Sequence, residues 1–280
     1  IQRVGATPVF VDVDPKYFCL NPQEVEKHIT NQTKCIMLVN MYGNTCDVDS
    51  FLDIQKKYRI PIVEDCSENL GGAYKKLKSG TQFDVSTFSL YANKTITSGE
   101  GGVVCTSSKT CIEKARRYKN LDFPPCRSFR HLNQAFNYRM ASPLAALANS
   151  QLRRIDEILY EKNRIFLSYQ EFINSNFLTP LSPRPKTTFV PWMNCFLVNE
   201  NINFSYTKFE QEMKDLSIQV RPFFSNLANQ KCFSDIKKTS TSKRLPVTES
   251  IASRGFYLPS SIKLKVEDIK YISNKVNNYF

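Results

Sequence analysis

Hydrophobic residues in the first third of the chain alternate between short continuous runs and stretches with helical spacing. Each continuous run has the apolar and β-branched content of a buried strand. In chain order these runs are TPVFVDVD, KCIMLVN and IPIVEDC. Helical spacing predicts helices in NPQEVEKHI, where Asn21 and Pro22 suit the first turn, and in DVDSFLDIQKKYR. Apolar strands that alternate with helices predict an α/β fold with a mostly parallel sheet covered on both faces.

The next stretch, up to about residue 173, extends this pattern and then changes it. Two strands, a helix and a loop are expected there. They lie in DVSTFSL, GGVVCT, SKTCIEKARRYKNL and DFPPCRSFRHLNQ, respectively. From Ser142 to Ile173 the apolar spacing predicts one long helix, with Pro143 in the first turn, where a missing N–H costs least.

A smaller α+β unit is predicted after Phe177. Its strands are MNCFLVNE and IQVRPFF, its first helix is YTKFEQEMKDL, and a closing helix begins at Lys265. We therefore predict a large domain over residues 1–142, followed by a connecting helix and a small C-terminal domain over residues 143–280.

Composition places the chain among globular proteins and leaves the choice of partner open. Of its 280 residues 41% are hydrophobic, which excludes a disordered chain, and no apolar run reaches membrane-spanning length. The net charge of +12 is spread along the sequence, without the aromatic and basic stripe of an RNA-binding surface. Solvated lysines explain this charge most simply, an anionic small molecule is the next interpretation, and nucleic acid is the third.

The cysteines and the first residues suggest where the protein works and how it begins. The nine cysteines occur singly, without a C-x-x-C pair, and the two histidines form no metal-ligand pattern with them. Such cysteines are typical of a reduced, intracellular protein, so we expect a cytoplasmic location and no metal site. The chain opens at Ile1 on a turn that leads directly into a predicted strand. We therefore expect an N-terminally truncated piece of a longer protein.

Polar residues follow several predicted strands at the point where each strand ends, and ligands of parallel sheets collect at these ends. Asp65 ends IPIVED, Asn40 ends CIMLVN, Ser89 ends VSTFS, and Lys94 lies just beyond it. Pyridoxal phosphate needs an amine for its aldehyde, a carboxylate for its pyridine nitrogen, and hydroxyl or N–H groups for its phosphate. Lys94, Asp65 and Ser89 have these chemistries, although by spacing alone any α/β protein offers similar residues.

Four motifs occur in an order typical of one known family. They are VEDCSENLGGAY, TFSLYANKTITSGEGG, FNYRM…LAALANSQL and VRPFF…GFYLPSS. With them the chain resembles, over essentially its whole length, the DegT/DnrJ/EryC1/StrS sugar aminotransferases, and most of all their GDP-perosamine synthase branch. The resemblance implies a fold type I, pyridoxal-phosphate-dependent enzyme that works as a homodimer. It also implies that glutamate donates an amino group to a nucleotide-linked keto sugar in amino-sugar or polysaccharide biosynthesis.

The resemblance implies roles for five residues of this sequence. Lys94 resembles the lysine that forms the Schiff base with the cofactor, and Asp65 resembles the acid that pairs with the pyridine nitrogen. Glu68 matches the position that faces the cofactor ring, and Ser89 resembles a phosphate-binding hydroxyl. Asn137 resembles the asparagine that reaches the cofactor phosphate from the partner subunit.

Further expectations and two alternatives accompany this assignment. The loop over residues 122–136 is expected near the second subunit, and Arg139 and Arg221 are candidates to hold the diphosphate of the substrate. The family carries a phosphate-binding turn ahead of the segment that matches GATPVF. Its true absence would favour a catalytically impaired relative or a basic regulatory or nucleic-acid-binding protein. A sugar dehydratase of the same fold is disfavoured, because such enzymes resemble this family with His at the position of Lys94.

Overall fold

A computed structural model of the chain describes residues 1–124, 129–234 and 244–280. In these residues the helices are α1 (Pro22–Lys27), α2 (Val48–Tyr58), α3 (Lys109–Tyr118), α4 (Ser142–Leu152), α5 (Ile155–Phe172), α6 (Tyr206–Asp215), α7 (Pro246–Arg254) and α8 (Val266–Tyr279). The strands are β1 (Ile36–Val39), β2 (Ile62–Asp65), β3 (Ala73–Tyr74), β4 (Leu77–Lys78), β5 (Val85–Ser89), β6 (Gly102–Cys105), β7 (Leu178–Pro180), β8 (Thr187–Thr188), β9 (Asn194–Val198), β10 (Arg221–Pro222) and β11 (Gly255–Leu258).

The first sheet has the strand order β1-β2-β5-β6. β1, β2 and β5 run parallel, with Asp65 opposite Thr87, and β6 runs antiparallel to β5. The core beside this sheet includes the fully buried side chains of Leu38, Phe51 and Ile62, because the strands are apolar and α2 covers them. The predicted α/β fold with a mostly parallel sheet is therefore confirmed.

The strand predicted in TPVFVDVD is wrong, since in the described structure these residues form no strand of that sheet. Their backbone bonds to the turn that follows: Asp14 N–H donates to Cys19 O at 2.8 Å, and Asn21 N–H donates to Asp12 O at 3.3 Å. The Asp12 carboxylate meanwhile accepts from Thr248 N–H at 2.8 Å, at the start of α7. An apolar run becomes a strand only where another strand supplies partners, and here local groups satisfy the backbone.

The single long helix predicted from Ser142 to Ile173 is also wrong, because the structure divides it into α4 and α5. Arg154 lies between them at φ −110° and ψ 19°, outside helical values. The Gln151 side chain donates to Thr97 O at 2.6 Å and accepts from Thr97 N–H at 3.2 Å. Tertiary contacts therefore fix the end of α4 to the loop before β6, although the residues at the break are good helix formers.

The second sheet is antiparallel, with the order β10-β11-β9-β7. α5 and α8 pack on it around fully buried aromatic side chains. These are Tyr169, Phe196, Phe209 and Phe256. α5 also contributes Ile158 to a separate hydrophobic cluster with Leu90, the residue that follows β5 of the first sheet. The division of the chain at residue 142 stays a prediction.

Two smaller points complete the fold. The loop predicted in DFPPCRSFRHLNQ has no helix or strand at residues 122–124 and 129–134, and residues 125–128 lie outside the described residues. Within the described ranges, no helix combines the length and the apolar character that crossing a bilayer requires.

Candidate active site

A closed loop between β5 and β6 carries Lys94 at the carboxyl edge of the first sheet. Leu90 closes the loop: its N–H donates to Gly101 O at 2.9 Å, and its carbonyl accepts from Ser98 N–H at 3.0 Å. The side chains of Leu90 and Ile96 are buried in a cluster with residues of α4 and α5. The backbone around Lys94 is therefore fixed by hydrogen bonds and by packing.

The Lys94 amine points into the protein rather than into water. Its side chain is 13% exposed, and Nζ lies 3.6 Å from Glu68 Oε1. On another side, Nζ lies 4.1 Å from the centre of the Trp192 ring. A carboxylate and an aromatic face both attract an ammonium group, so two groups hold this amine in place of solvent.

Glu68 is itself oriented by the turn after β1. Tyr42 N–H donates to Glu68 Oε2 at 2.7 Å, and Tyr42 adopts φ 52°, a left-handed conformation that is uncommon for a bulky residue. Glu68 is only 7% exposed. Burial raises its pKa to about 7, although the positive charge of Lys94 lowers the pKa. The negative charge of Asp65 adds to this rise. The Glu68 carboxyl group therefore changes protonation near neutral pH.

Asp65 and Ser89 are the last residues of β2 and β5. Because these strands pair in parallel, both residues lie at the edge that also carries Lys94. Asp65 Oδ1 accepts from Ser67 N–H at 2.9 Å, and Ser89 Oγ accepts from Tyr91 N–H at 3.2 Å. Both residues remain partly exposed at this edge.

Two predicted residues stay outside this group in the described structure. Asn40 does not join it, because its buried side-chain amide donates to Glu64 Oε1 at 2.7 Å. Glu64 is buried, and burial raises its pKa. A buried carboxyl group needs hydrogen-bond donors, and Asn40 supplies one of them. Asn137 is exposed, and its side-chain oxygen accepts from Arg139 Nε at 2.9 Å. The contact of Asn137 with a partner subunit stays a prediction, as do the diphosphate roles of Arg139 and Arg221.

Sequence patterns missed Trp192, which contacts the Lys94 amine, and two residues that contact its neighbours, Tyr42 and Lys162. Tyr42 lies in the turn after β1, Trp192 lies in the connection before β9, and Lys162 lies on the buried side of α5. Lys162 Nζ donates to Trp192 O at 2.9 Å. The one signal available in the sequence was that Trp192 is the single tryptophan of the chain.

The fold and these groups together define a class of protein. A mostly parallel sheet that carries a sequestered lysine amine and carboxyl groups at its carboxyl edge suits an α/β enzyme that binds a ligand at this edge and uses the amine as a nucleophile. The model of the DegT/DnrJ/EryC1/StrS aminotransferase family matches residues 1–277, and the chain belongs to this family. The resemblance carried by its four motifs is thereby confirmed.

Individual relatives agree with the family. The chain is 33% identical to the GDP-perosamine synthase of Escherichia coli O157:H7, over 100% of this chain and 75% of that protein. It is 31% identical to the GDP-perosamine synthase of Vibrio cholerae, over 100% of this chain and 76% of that protein. Helicobacter pylori PseC, an aminotransferase involved in the biosynthesis of pseudoaminic acid, superposes with a TM-score of 0.93 at 23% identity, over 100% of this chain and 75% of that chain. The structural likeness confirms the predicted aminotransferase fold.

Proposed function

We propose that this protein transfers an amino group from glutamate to a nucleotide-linked 4-keto-6-deoxyhexose, with pyridoxal phosphate as cofactor. The observation that carries the proposal is the Lys94 amine, held away from water between Glu68 at 3.6 Å and the Trp192 face at 4.1 Å. A lysine amine that is shielded from water and held in one place suits covalent chemistry on a carbonyl. Family membership supports the reaction, and the GDP-perosamine synthases among its relatives support the choice of sugar.

The residues at the sheet edge fit the chemistry of this cofactor. We assign covalent attachment to Lys94 Nζ, the pyridine nitrogen to the Asp65 carboxylate, and the phosphate to the Ser89 hydroxyl. Glu68 would lie beside the ring, and Asn137 would reach the phosphate of a second subunit, which makes the active form a homodimer. When bound, the cofactor supplies a carbonyl that captures amines and a ring that withdraws electrons from the reacting carbon.

Lys94 also moves the proton in this proposal. When its amine is free, Nζ takes the proton from the α-carbon of the amino donor as a general base and later returns a proton as a general acid. Glu68 Oε1, 3.6 Å away, compensates the charge on Nζ as the amine gains and loses that proton. The low exposure of Lys94 keeps water from competing for it.

The test is an amino-transfer assay with purified protein, pyridoxal phosphate and glutamate, against a panel of keto sugars linked to GDP, dTDP or UDP. Mass spectrometry should show an amino group in place of the sugar carbonyl oxygen, with an equal yield of 2-oxoglutarate. Lys94→Ala should abolish this product, whereas Lys208→Ala, which changes an exposed lysine of α6, should leave it intact. Cofactor binding without any aminated product would overturn the substrate assignment. Failure to bind the cofactor would favour the non-catalytic alternative.

A further inference from the structure

Trp192 contacts both the side chain and the backbone of the loop that carries Lys94. Its ring centre lies 4.1 Å from Lys94 Nζ. Its indole N–H donates to Asn93 O, the carbonyl of the preceding residue, at 2.8 Å. One side chain therefore constrains the position of the amine and the conformation of the chain that presents it.

Trp192 is rigidly held by its own surroundings. It is 1% exposed, and its ring stacks on Tyr42 at a centroid distance of 6.4 Å and an interplanar angle of 12°. Phe224 lies close to the same ring, at 6.5 Å and 24°. Lys162, a buried residue of α5, donates to Trp192 O at 2.9 Å. Because neighbours on several sides block its rotation, the ring presents one fixed face to the amine.

The position of the Trp192 ring beside the Lys94 amine does more than fill space in the core. The Lys94 side chain is 13% exposed, and the distance of 3.6 Å from Nζ to Glu68 Oε1 is too long for a hydrogen bond. The aromatic face therefore supplies attraction to the ammonium group that the carboxylate alone does not provide, and such attraction is strongest when water is excluded. A leucine or methionine of similar volume would fill the space without this attraction.

We propose that Trp192 is a positioning residue for Lys94: its face holds the amine, and its indole N–H holds the Asn93 carbonyl at the sheet edge. The inference rests on the proposed role of Lys94, since holding this amine matters for function only if the amine reacts. Loss of the aromatic face removes a contact that holds the amine in place, so a reagent in solution reaches the amine more often.

The test measures the reactivity of Lys94 directly rather than through turnover. The whole chain, freed of cofactor, is treated briefly with acetic anhydride near neutral pH. Acetylation of the Lys94 peptide is then quantified by mass spectrometry against that of exposed Lys208. Trp192→Leu should raise the relative labelling of Lys94 about fivefold, the factor that corresponds to losing an attraction of about 1 kcal/mol. Trp192→Phe, which keeps an aromatic face but loses the indole N–H, should raise the labelling of Lys94 less than Trp192→Leu does.

Two controls keep the result interpretable. Thermal melts show which variants fold, and Trp192→Met, a flexible residue that fills irregular space, replaces the leucine variant if that variant does not fold. Aliphatic variants labelled no more strongly than the wild type would overturn the proposal, because neither the aromatic face nor the indole N–H would then hold the amine in place. Bound pyridoxal phosphate should protect Lys94 in the wild type. Absence of that protection would count against the proposed function and not against the role of Trp192 in the cofactor-free protein.

Discussion

Replacing Glu68 with glutamine should change how the stability of the protein depends on pH. Burial raises the pKa of Glu68 from its ordinary value of 4.5 to about 7. Between these pH values the native state binds more protons than the unfolded state, so the free energy of unfolding falls as the pH rises through this interval. An interval of about 2.5 pH units, at about 1.36 kcal/mol for each unit, amounts to about 3 kcal/mol. Glutamine keeps an oxygen for Tyr42 N–H but does not titrate, so the variant should escape this loss.

Urea unfolding of the cofactor-free protein, followed by circular dichroism between about pH 5 and about pH 8, measures the effect. As the pH rises, the stability of Glu68→Gln relative to the wild type should increase by up to about 3 kcal/mol. Glu113→Gln, which changes an exposed glutamate of α3, is the matched control and should follow the wild type throughout. If the wild-type and Glu68→Gln profiles ran parallel, the reasoning would be refuted, because burial would then not be retaining a proton on Glu68.

Three further predictions concern the dimer, the turn after β1 and the buried lysine of α5. Mixing Lys94→Ala chains with Asn137→Ala chains should restore amino transfer above either parent, because one site of each mixed dimer keeps both residues; proven heterodimers without activity would contradict the shared site. Gly43→Ala should unfold at a lower urea concentration than Gly99→Ala, because its free energy of unfolding should be lower by about 2 kcal/mol or more. Both glycines have φ above +80°, but only at Gly43 would the new Cβ overlap a backbone carbonyl, that of Val190, and equal losses would contradict this explanation. Burial lowers the pKa of Lys162 to about 8, so above this pH the unfolded state binds more protons than the native state. The free energy of unfolding of the wild type relative to Lys162→Met should therefore rise from about pH 8 to about pH 10. A difference in urea unfolding that does not change with pH would contradict this.

Strand chemistry and chain order were enough to predict that the main polar groups of the candidate site share one edge of the first sheet. Lys94, Asp65 and Ser89 follow or end parallel strands, and parallel strands end at the same edge of a sheet. This placement needs no knowledge of side-chain packing. Asn40 obeys the same rule of position, yet it turns to the buried Glu64, because its partner is set by packing that spacing does not reveal.

Most of the features that could not be predicted depend on contacts between distant segments. TPVFVDVD has the composition of a strand, but the Asp12 carboxylate accepts from the start of α7 and the backbone bonds to the following turn. The break between α4 and α5 falls among good helix formers and follows from the bond of Gln151 to Thr97. Trp192 donates to the Asn93 carbonyl although the two residues lie far apart in the sequence. The hydrophobic periodicity of either segment does not reveal such a contact.

The central claim is that Lys94 Nζ is the amine to which the cofactor attaches. Purified protein is loaded with pyridoxal phosphate, reduced with borohydride to make the attachment permanent, digested and mapped by mass spectrometry. The account predicts close to one pyridoxyl group per chain, located on Lys94, and its loss in Lys94→Ala. Stoichiometric label on a different lysine, or a wild-type protein that retains no reducible cofactor, would contradict it.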